Sequence, residues 1–298
     1  MARIFITGSS DGLGRMAAQL LVEEGHQVVL HARNANRGRD ALAAVSGAAA
    51  VLTGDMASIA QTRRLAEAVN AHGPFDAVIH NAAIGFRERR RVLTEDGLPH
   101  VFAINTLAPY VLTALIRPPA RLVYVSSELH RRGHAGLDDL LWERRDWRGN
   151  QAYSDTKLHD ALLAFAVARR WPGVRSNALE PGWVATKMGG AHATGDLDAA
   201  YRTQAWLAVS DDAGAALTGE YFFHKRLRKP SGATRDAALQ DGLLAECARL
   251  SGVPFPDHAA PGDASSSRLL RDGVVREDDG CAVQFAQAAA AREAEGEV

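Results

Sequence analysis

The segment "FITGSSDGLGR", residues 5–15, joins a short apolar run to a predicted amphipathic helix. Its glycines Gly8, Gly12 and Gly14 form a TGxxxGxG pattern. Glycine allows a sharp backbone turn, and the amide groups at a helix N-terminus favour an anion such as a phosphate. Because the pattern follows a predicted first strand and opens a predicted first helix, we interpret it as a dinucleotide-binding turn. The alternative is a tight turn that only packs a helix closely against a sheet.

Short β-rich runs alternate with amphipathic helical runs along most of the chain. The fifth run is apolar almost throughout, as a strand covered on both faces should be. This alternation predicts an α/β fold with a doubly wound, mostly parallel, seven-stranded Rossmann-type sheet and helices on both faces. The predicted strands are 4–7, 27–30, 50–52, 77–79, 121–125, 175–179 and 220–223. The predicted helices are 12–24, 61–71, 97–116, 153–170 and 198–209.

Composition excludes several other classes of protein. The chain has 298 residues, 47% of them hydrophobic and 23% charged, with a formal net charge of −1. These values are typical of a globular protein and give no electrostatic case for a nucleic-acid or anionic-membrane partner. No apolar run approaches the roughly 20 residues of a membrane span, and the N-terminal run is too short for a signal peptide. Two cysteines, Cys247 and Cys281, offer neither a disulfide framework nor a metal cluster, so we expect a cytoplasmic protein.

We predict one catalytic domain over residues 1–255, with two segments that interrupt its rhythm. One is a charged insertion at 128–152, and the other, at 187–200, is expected to form a lid over bound substrate. Near the lid, Trp183 and Met188 are candidate apolar contacts, with core packing as the alternative. The segment 256–298 is rich in Ala, Gly, Ser, Asp and Glu, and it buries too little apolar surface to offset its ordering entropy. We expect it to be a largely disordered tail.

The end of the second predicted strand indicates which dinucleotide binds. NAD sites usually carry an acidic residue about 20 residues beyond the glycines, where it bonds the ribose 2′-hydroxyl, whereas an arginine there suits the 2′-phosphate of NADP. Residues 30–34 read Leu-His-Ala-Arg-Asn, which supplies no carboxylate but does supply the permanently charged Arg33. We therefore predict that NADP(H) is preferred over NAD(H). A solvated surface arginine is the alternative.

Tyr153 and Lys157 lie four residues apart in a predicted helix, so their side chains share one face. The same spacing occurs by chance in many helices. By itself the pair therefore does not indicate catalysis, and other parts of the chain have to decide its meaning.

Several motifs, in their order and spacing, make residues 1 to about 225 resemble the short-chain dehydrogenase/reductase family. The motifs are Thr7-Gly8…Gly12…Gly14, Asp55-Met56, Asn81-Ala82-Ala83-Ile84-Gly85, Asn105, Val125-Ser126-Ser127, Tyr153…Lys157 and Pro181-Gly182-Trp183-Val184-Ala185-Thr186. The long separation of Ser127 from Tyr153, with the sequences of 127–132 and 177–184, resembles the retinol dehydrogenase and protochlorophyllide reductase branch. That branch handles bulky apolar substrates.

The resemblance implies roles for the catalytic residues. Tyr153 would be the general acid in reduction and the base in oxidation, while Lys157 would favour its phenolate form and bond the nicotinamide ribose. Ser127 would hydrogen-bond the substrate oxygen, because Ser126 points to the opposite face of an extended strand. Asn105 would hold a water that connects Lys157 to solvent; the alternative is a polar helix residue that bonds local backbone.

The resemblance also implies contacts to the cofactor. Asp55 would bond the adenine amino group, with a helix cap or turn as the alternative. Asn81 would brace the central strand, and Val184 and Thr186 would hold the nicotinamide carboxamide. The expected cofactor-binding residues are Thr7, Gly8, Ser10, Gly12, Leu13, Gly14, Arg33, Asp55, Met56, Asn81, Ala82, Ala83, Tyr153, Lys157, Pro181, Gly182, Val184 and Thr186.

These features predict an NADP(H)-dependent oxidoreductase that interconverts a carbonyl and an alcohol on a small to medium apolar substrate. One alternative is a reductase of a conjugated double bond in a pigment-like substrate. The other is a cofactor-sensing binding protein without turnover, against which the complete set of Ser127, Tyr153 and Lys157 argues.

Two further patterns bear on partners and metals. Leu158, Leu162 and Phe165 make one face of the Tyr153 helix a candidate seam for a homodimer or homotetramer, with internal core packing as the alternative. His130 and His134 are spaced like metal ligands, but no clear third ligand accompanies them. We therefore expect loop histidines and no metal.

Overall fold

Eight strands form the centre of the structure, a computed structural model that describes residues 1–257. The strands are β1 (Arg3–Ile6), β2 (Gln27–Ala32), β3 (Ala50–Thr53), β4 (Ala77–His80), β5 (Arg121–Val125), β6 (Arg175–Glu180), β7 (Tyr221–Phe223) and β8 (Arg226–Leu227). They lie in the order β3-β2-β1-β4-β5-β6-β7-β8, and the pairs from β3 to β7 are parallel. The order reverses at β1, which pairs with both β2 and β4. The predicted doubly wound, mostly parallel sheet is confirmed.

The sheet has one strand more than the seven predicted. β8 is a two-residue strand that runs antiparallel to β7. The turn between them holds His224 and Lys225 at φ angles of 48° and 62°. Turns with positive φ usually carry Gly, Asn or Asp. Because this one carries His and Lys, the sequence contains no hairpin signal from which β8 could be predicted.

Helices cover both faces of the sheet. They are α1 (Gly12–Glu23), α2 (Ala35–Ala44), α3 (Ile59–Ala71), α4 (His100–Phe102), α5 (Ala108–Leu115), α6 (Gly149–Arg170), α7 (Leu197–Val209) and α8 (Ala237–Ser251). The predicted helix 97–116 corresponds to α4 and α5 with a π-helical turn, Ala103–Leu107, between them. The other four predicted helices are confirmed as α1, α3, α6 and α7.

Two helices, α2 and α8, were not predicted. α2 contains Gly38, which packs against Val51 and Thr53, and it has few apolar residues that could show a helical period. α8 does carry recognisable end signals. Asp236 caps its first turn, and Gly252 follows its last residue in the left-handed conformation with φ of 64°.

Alternate side chains of the central strands pack on opposite faces of the sheet. Ile4 and Ile6 of β1 pack against α1 and α7 in one apolar cluster, whereas Phe5 belongs to the larger cluster with α3, α5 and α6. β5 divides in the same way, because Leu122 and Tyr124 join the second cluster. This two-residue period is the property of a strand buried on both faces.

The insertion at 128–152 packs onto α6 through two buried carboxylates. Asp155 of α6 accepts a hydrogen bond from the backbone N–H of His134 at 2.7 Å. Arg145 pairs with Asp139 at 3.1 Å and with Asp155 at 3.4 Å. The charged residues of this segment therefore hold it against the helix that carries Tyr153.

Three further predictions concern the ends and surfaces of the chain. The predicted tail 256–298 lies outside the described residues except for its first two. None of the helices within residues 1–257 is long and apolar enough to cross a membrane. Leu158, Leu162 and Phe165 are buried in the core of the chain itself. Internal packing, the alternative to a subunit seam, therefore accounts for these three side chains.

Candidate active site

A cavity of about 610 Å³ lies at the carboxyl ends of the parallel strands, where the strand order reverses. Sheets of this topology bind ligands at that position. The predicted site residues that line the cavity are Gly8, Ser10, Gly12, Leu13, Arg33, Asp55, Met56, Asn81, Ala82, Ala83, Tyr153, Lys157, Pro181 and Thr186. Those that do not line it are Thr7, Gly14, Asn105, Ser127, Gly182 and Val184.

The glycine turn lies against the end of β4 without room for side chains. Gly8 has φ of 64°, and a Cβ at this residue would lie 2.7 Å from the Cα of Ala82. A Cβ on Gly14 would collide with the side-chain amide of Asn81. Gly12 begins α1 with φ of 52°. Bare backbone at a helix N-terminus therefore faces the cavity, which is the surface that a pyrophosphate requires.

Thr7 and Asn81 connect β1 to β4 beneath the cavity. The Thr7 hydroxyl accepts hydrogen bonds from the backbone N–H groups of Asn81 and Ala82, both at 3.0 Å. The Asn81 amide donates to the carbonyls of Thr7 at 3.0 Å and Gly8 at 3.2 Å. Thr7 thus supports the cavity floor from below, and Asn81 holds the turn and the strand end together.

His31, at the end of β2, is a cavity residue that was not predicted. Its Nδ1 accepts a hydrogen bond from the backbone N–H of Gly8 at 3.0 Å. A backbone N–H can only donate, so the ring proton is on Nε2, which donates to the Gly54 carbonyl at 2.9 Å. Burial lowers the pKa of His31 below its ordinary value. The neutral ring therefore links the glycine turn to the loop after β3.

Two arginines line the cavity next to the glycine turn. Arg33 is exposed, and within residues 1–257 its side chain makes no hydrogen bond. Arg37 donates to the carbonyl and hydroxyl of Ser10, each at 3.4 Å, and to Asp11 at 3.3 Å. Arg37 was not predicted as a site residue, because α2, the helix that brings it to the cavity, was not predicted either.

The Asp11 carboxylate is surrounded by cations. Lys187, the first residue of the predicted lid, contacts it, and Arg37 pairs with it at 3.3 Å. The hydrogen bond from Lys187 lowers the pKa of Asp11, with smaller contributions from Gly12 and Arg37. The residue at the mouth of the glycine turn is therefore ionised and balanced by two cations.

Asp55 makes the turn that the alternative interpretation expects and also lines the cavity. Its Oδ1 accepts a hydrogen bond from the backbone N–H of Ala57 at 2.9 Å. The backbone N–H of Asp55 donates to the side chain of Gln61 at 3.0 Å. Met56 is buried beside it. These contacts hold the carboxylate at the wall of the cavity.

Tyr153 and Lys157 lie together at the centre of the cavity wall. The hydroxyl of Tyr153 makes no hydrogen bond to any residue that the structure describes, and its ring contacts Phe86 edge-on at 5.9 Å between centroids. Lys157 Nζ lies 5.6 Å from the centre of the Tyr153 ring. It donates to the Val125 carbonyl and to Asp160 Oδ2, both at 2.8 Å. Burial opposes the charge on Lys157, but the Asp160 carboxylate raises its pKa above the ordinary value.

The two serines after β5 have different partners. Ser126 donates its hydroxyl proton to the Lys157 carbonyl at 2.6 Å and is buried. Ser127 begins a 3₁₀-helical turn, Glu128–Arg132, and its Oγ accepts a hydrogen bond from the Leu129 N–H at 3.3 Å. Ser127 is half-buried and keeps its own hydroxyl proton available. The lining of the cavity includes Ser126 rather than Ser127.

Of the two histidines in the insertion, His130 uses its ring for hydrogen bonds, whereas His134 bonds Asp155 through its backbone N–H. His130 Nδ1 contacts the Ser127 carbonyl at 2.7 Å, and its Nε2 accepts a hydrogen bond from the Ser231 N–H at 3.1 Å. Burial lowers the pKa of His130 to about 4, so the ring is neutral. His130 thus fixes the backbone of Ser127. Over the part of the chain that the structure describes, no three His, Cys, Asp or Glu side chains are grouped to hold a metal ion.

Asn105 lies in the π-helical turn and is fully buried. Its amide donates to the Ile84 carbonyl at 3.0 Å and to Thr156 Oγ1 at 3.1 Å, and its oxygen accepts from the Ile84 N–H at 2.9 Å. The side chain therefore bonds backbone, although this backbone is distant in sequence. Through these bonds Asn105 joins the loop after β4 to α6.

The segment after β6 supplies one wall of the cavity. Gly182 has φ of 81°, which lets the chain turn after Pro181. Val184 is buried below the surface, whereas Thr186 lines the cavity and accepts a hydrogen bond from the Gly189 N–H at 3.2 Å. Trp183 is 57% exposed and does not line the cavity.

The predicted lid divides into two parts. Lys187 and Met188 line the cavity, whereas residues 197–200 belong to α7. Two apolar residues that were not predicted as site residues, Ile84 and Ile104, line the same cavity as Met188. Ile84 belongs to the motif of residues 81–85 and Ile104 to the π-helical turn, and only the fold brings these two segments together.

Comparison with known proteins supports what the geometry suggests. A family model described as short chain dehydrogenase matches residues 2–137. An uncharacterized oxidoreductase of Emericella nidulans is 46% identical over 260 residues, which cover 86% of this chain and 99% of that protein. The chain belongs to the short-chain dehydrogenase/reductase family.

Other members of the family are more distant. Human retinol dehydrogenase 13 is 28% identical, and the matched region covers 85% of this chain and 85% of that protein. A crystal structure of an uncharacterized protein from Mycobacterium paratuberculosis is 28% identical, with a TM-score of 0.75 over 86% of this chain and 95% of that one. The resemblance to the family and to its retinol dehydrogenase-like branch is confirmed. Because the family consists of oxidoreductases that use nicotinamide cofactors, the chain is an oxidoreductase of this kind.

Proposed function

We propose that this protein is an NADP(H)-dependent oxidoreductase that interconverts a carbonyl and an alcohol on a small to medium apolar substrate. One observation carries the proposal: Tyr153 lines the cavity with its hydroxyl unpaired among the described residues, and Lys157 is fixed beneath it. A phenol at a cavity wall that has no hydrogen-bond partner can donate its proton to a bound molecule. In carbonyl reduction the group that accepts the proton is the substrate oxygen.

Carbonyl reduction adds a hydride to carbon and a proton to oxygen. A bound nicotinamide cofactor supplies the hydride. Tyr153 donates the proton in reduction and accepts it in oxidation. The ammonium of Lys157 stabilises the phenolate that Tyr153 becomes after it donates. Lys157 also lines the cavity, where it would bond a ribose hydroxyl of the cofactor.

Ser127 and Asn105 assist this proton transfer in the proposal. Ser127 does not line the cavity itself but follows Ser126, which does. Its hydroxyl accepts a hydrogen bond from the Leu129 N–H, so its own proton would be free to bond the oxygen of a substrate that reaches it. Asn105 has both side-chain groups bonded, so we assign the water between Lys157 and solvent to the backbone of its π-helical turn. A π-helical turn breaks the regular backbone ladder and is frequent at functional sites.

The proposed cofactor site fits the groups at the cavity wall. The backbone of Gly8, Gly12 and their neighbours would hold the pyrophosphate. Asp55 would accept a hydrogen bond from the adenine amino group, and Thr186, which keeps its hydroxyl proton, would bond the carboxamide. The remaining residues of the set shape or support this surface, namely Thr7, Ser10, Leu13, Gly14, Met56, Asn81, Ala82, Ala83, Pro181, Gly182 and Val184.

The preference for NADP(H) rests on charge. Arg33 and Arg37 both line the cavity, as does Ser10, to which Arg37 donates hydrogen bonds, so both guanidinium groups would be available to a 2′-phosphate. The end of β2 provides no carboxylate for a ribose 2′-hydroxyl. Two guanidinium groups favour a dianionic phosphate over a hydroxyl.

The proposed substrate is apolar because of the walls around Tyr153. Ile84, Ile104 and Met188 line the cavity, and Phe86 packs on the Tyr153 ring. His100 is a polar exception, and its Nδ1 lies 2.7 Å from a Glu88 carboxylate oxygen. A substrate with one polar group among apolar atoms matches this lining.

The direct test is NADPH oxidation by the purified protein over a panel of apolar aldehydes and ketones, with NADPH affinity measured in parallel. We expect turnover of at least one carbonyl and retained NADPH binding, without turnover, in Tyr153→Phe. NADPH binding without turnover of any compound would contradict the proposal and favour a cofactor-sensing protein. Turnover restricted to conjugated double bonds would favour the double-bond reductase.

A further inference from the structure

A buried carboxylate lies directly beside the lysine of the proposed site. Asp160 is on α6, three residues after Lys157, and is 3% exposed. Its Oδ2 lies 2.8 Å from Lys157 Nζ. Neither the catalytic roles assigned above nor the cofactor contacts use this carboxylate.

Packing alone does not explain an aspartate at this position. Its neighbours on α6 include Leu158, Ala161 and Leu162, which are apolar and fully buried, and His159 is a buried polar exception. Burying an ion pair in such surroundings is often no more stabilising than an apolar residue of similar size. Burial raises the pKa of Asp160 to about 6, against the opposing effect of the Lys157 ammonium. The 2.8 Å contact with the Lys157 ammonium is the favourable interaction that offsets this cost of burial.

The hydrogen bonds of Lys157 show what the carboxylate does to its position. An ammonium has three N–H donors. One bonds the Val125 carbonyl at 2.8 Å and a second bonds Asp160 at 2.8 Å. One donor remains, and Lys157 lines the cavity. Asp160 and Val125 thus fix the side chain while a single N–H is left for the cofactor ribose.

The same contact changes the charge that Tyr153 experiences. An isolated ammonium 5.6 Å from the phenol ring would favour the phenolate strongly in a buried site. The Asp160 carboxylate makes the Lys157–Asp160 pair neutral as a whole. The pull of Lys157 on the Tyr153 proton is then weaker than the lysine alone would produce.

We propose that Asp160 is a positioning residue that fixes Lys157 and balances its charge, so that Tyr153 keeps its proton to higher pH and the site favours carbonyl reduction. The inference rests on the proposed role of Tyr153 as proton donor. It adds a residue that influences the pH range over which Tyr153 is protonated and that acts through Lys157 rather than on the substrate.

The other titratable groups near Asp160 are uncharged at neutral pH. His159, the next residue before it on α6, is buried, and burial lowers its pKa to about 3. Tyr124 of β5 has its pKa raised by burial and, to a smaller degree, by the Asp160 charge. Its hydroxyl bonds Thr113 of α5 at 2.7 Å. His80 of β4 also contacts Thr113, and burial lowers the pKa of His80 to about 3. The charge on Lys157 is therefore balanced by Asp160 and not by these neighbours.

The test is the pH titration of Tyr153 in the full chain without substrate, followed by the ultraviolet absorbance of the phenolate. Subtracting the titration curve of Tyr153→Phe from that of the wild type isolates the absorbance of Tyr153. Subtracting the curve of the double variant Tyr153→Phe/Asp160→Asn from that of Asp160→Asn isolates it in the Asp160→Asn background. We expect Asp160→Asn, which keeps the shape of the side chain, to lower the midpoint by about one pH unit or more. An unchanged or raised midpoint would overturn the proposal.

Two controls separate charge balance from general destabilisation. Asp155→Asn removes another buried carboxylate from α6 that pairs with Arg145 instead of Lys157, and we expect no shift of the midpoint. An equal shift in Asp155→Asn would contradict the specific role of Asp160. If Asp160→Asn does not fold, Asp160→Ser provides a second neutral variant.

The titration needs no substrate, so its result stands apart from the proposed function. A shifted midpoint in a protein that reduces no carbonyl would support the charge balance and contradict the oxidoreductase assignment to carbonyls. In a protein that does reduce carbonyls, the alkaline limb of kcat should move to lower pH in Asp160→Asn. An alkaline limb of kcat that lies at the same pH in Asp160→Asn and in the wild type would count against the inference.

Discussion

The imidazole of His31 accepts a hydrogen bond from the backbone N–H of Gly8 at 3.0 Å, and it does so only while it is neutral. The contact joins the end of β2 to the turn that receives the pyrophosphate in the proposed function. Its other ring nitrogen donates to Gly54, so one side chain of β2 connects the glycine turn to the loop after β3.

Protonation of His31 should therefore destabilise the folded protein. Burial lowers its pKa in the folded state below the ordinary value of 6.5. The unfolded chain then binds a proton first as pH falls, so stability is complete above pH 6.5 and is lost as pH falls through the folded-state pKa. We expect the free energy of unfolding of the wild type to fall more steeply below pH 6.5 than that of His31→Asn. Denaturant unfolding over a pH series measures both, and parallel curves would refute the prediction.

Gly8→Ala should weaken cofactor binding and stability together. The new Cβ would lie 2.7 Å from the Ala82 Cα, at a φ of 64° that L side chains rarely adopt. We expect a loss of about 1–3 kcal/mol in the free energy of unfolding, with lower affinity for NADPH. Gly25→Ala is the matched control, because its φ is 82° but nothing lies within 4 Å of the added atom. Equal NADPH affinity in the two variants would show that the close approach to Ala82 does not matter.

Arg33→Ala and Arg37→Ala should change the choice of cofactor. Each removes a guanidinium from the cavity wall beside Ser10. We expect the affinity for NADPH to fall roughly ten-fold per arginine, the worth of a charged hydrogen bond, while the affinity for NADH changes little. Arg39→Ala is the control, since Arg39 is exposed on α2, the helix that carries Arg37, and bonds Asn36. An unchanged preference in both variants would remove the basis for NADP(H).

Tyr153→Phe should abolish proton transfer and leave the cavity intact. The hydroxyl has no hydrogen-bond partner in residues 1–257, so its removal leaves no described group unsatisfied. We expect kcat to fall by roughly 100- to 10,000-fold, the usual contribution of a general acid, with NADPH affinity retained. Tyr201→Phe on the surface of α7 is the comparison, because Tyr201 bonds only nearby Asp198. Retained turnover in Tyr153→Phe would disprove its role.

Much of the sheet could be predicted from the sequence because its signals are local. β1 and β5 are short apolar runs whose period is visible within a few residues, and the glycines at 8, 12 and 14 mark the turn between β1 and α1. β8 and α2 could not be predicted in this way. The β7–β8 turn holds His and Lys where turn residues are usual, and α2 is polar with a central glycine.

The candidate site also contains residues that local sequence signals identify and residues that they do not. Tyr153 and Lys157 are four residues apart on one helix, and a family motif identifies them without any knowledge of the fold.

The sequence by itself determined the strand–helix alternation, the glycine-rich turn and the tyrosine–lysine pair, because each depends on residues within one or two helical turns. Tertiary structure decided which side chains surround that pair. Arg37 reaches the cavity through α2, and Ile84 and Ile104 line it from the loop after β4 and from the π-helical turn. Asp160 becomes a buried counter-ion only because α6 packs against β5. Spacing along the chain does not show which side chains are buried. Because the Asp160 carboxylate is buried next to Lys157, water does not screen the pair, and the carboxylate can balance the charge of Lys157.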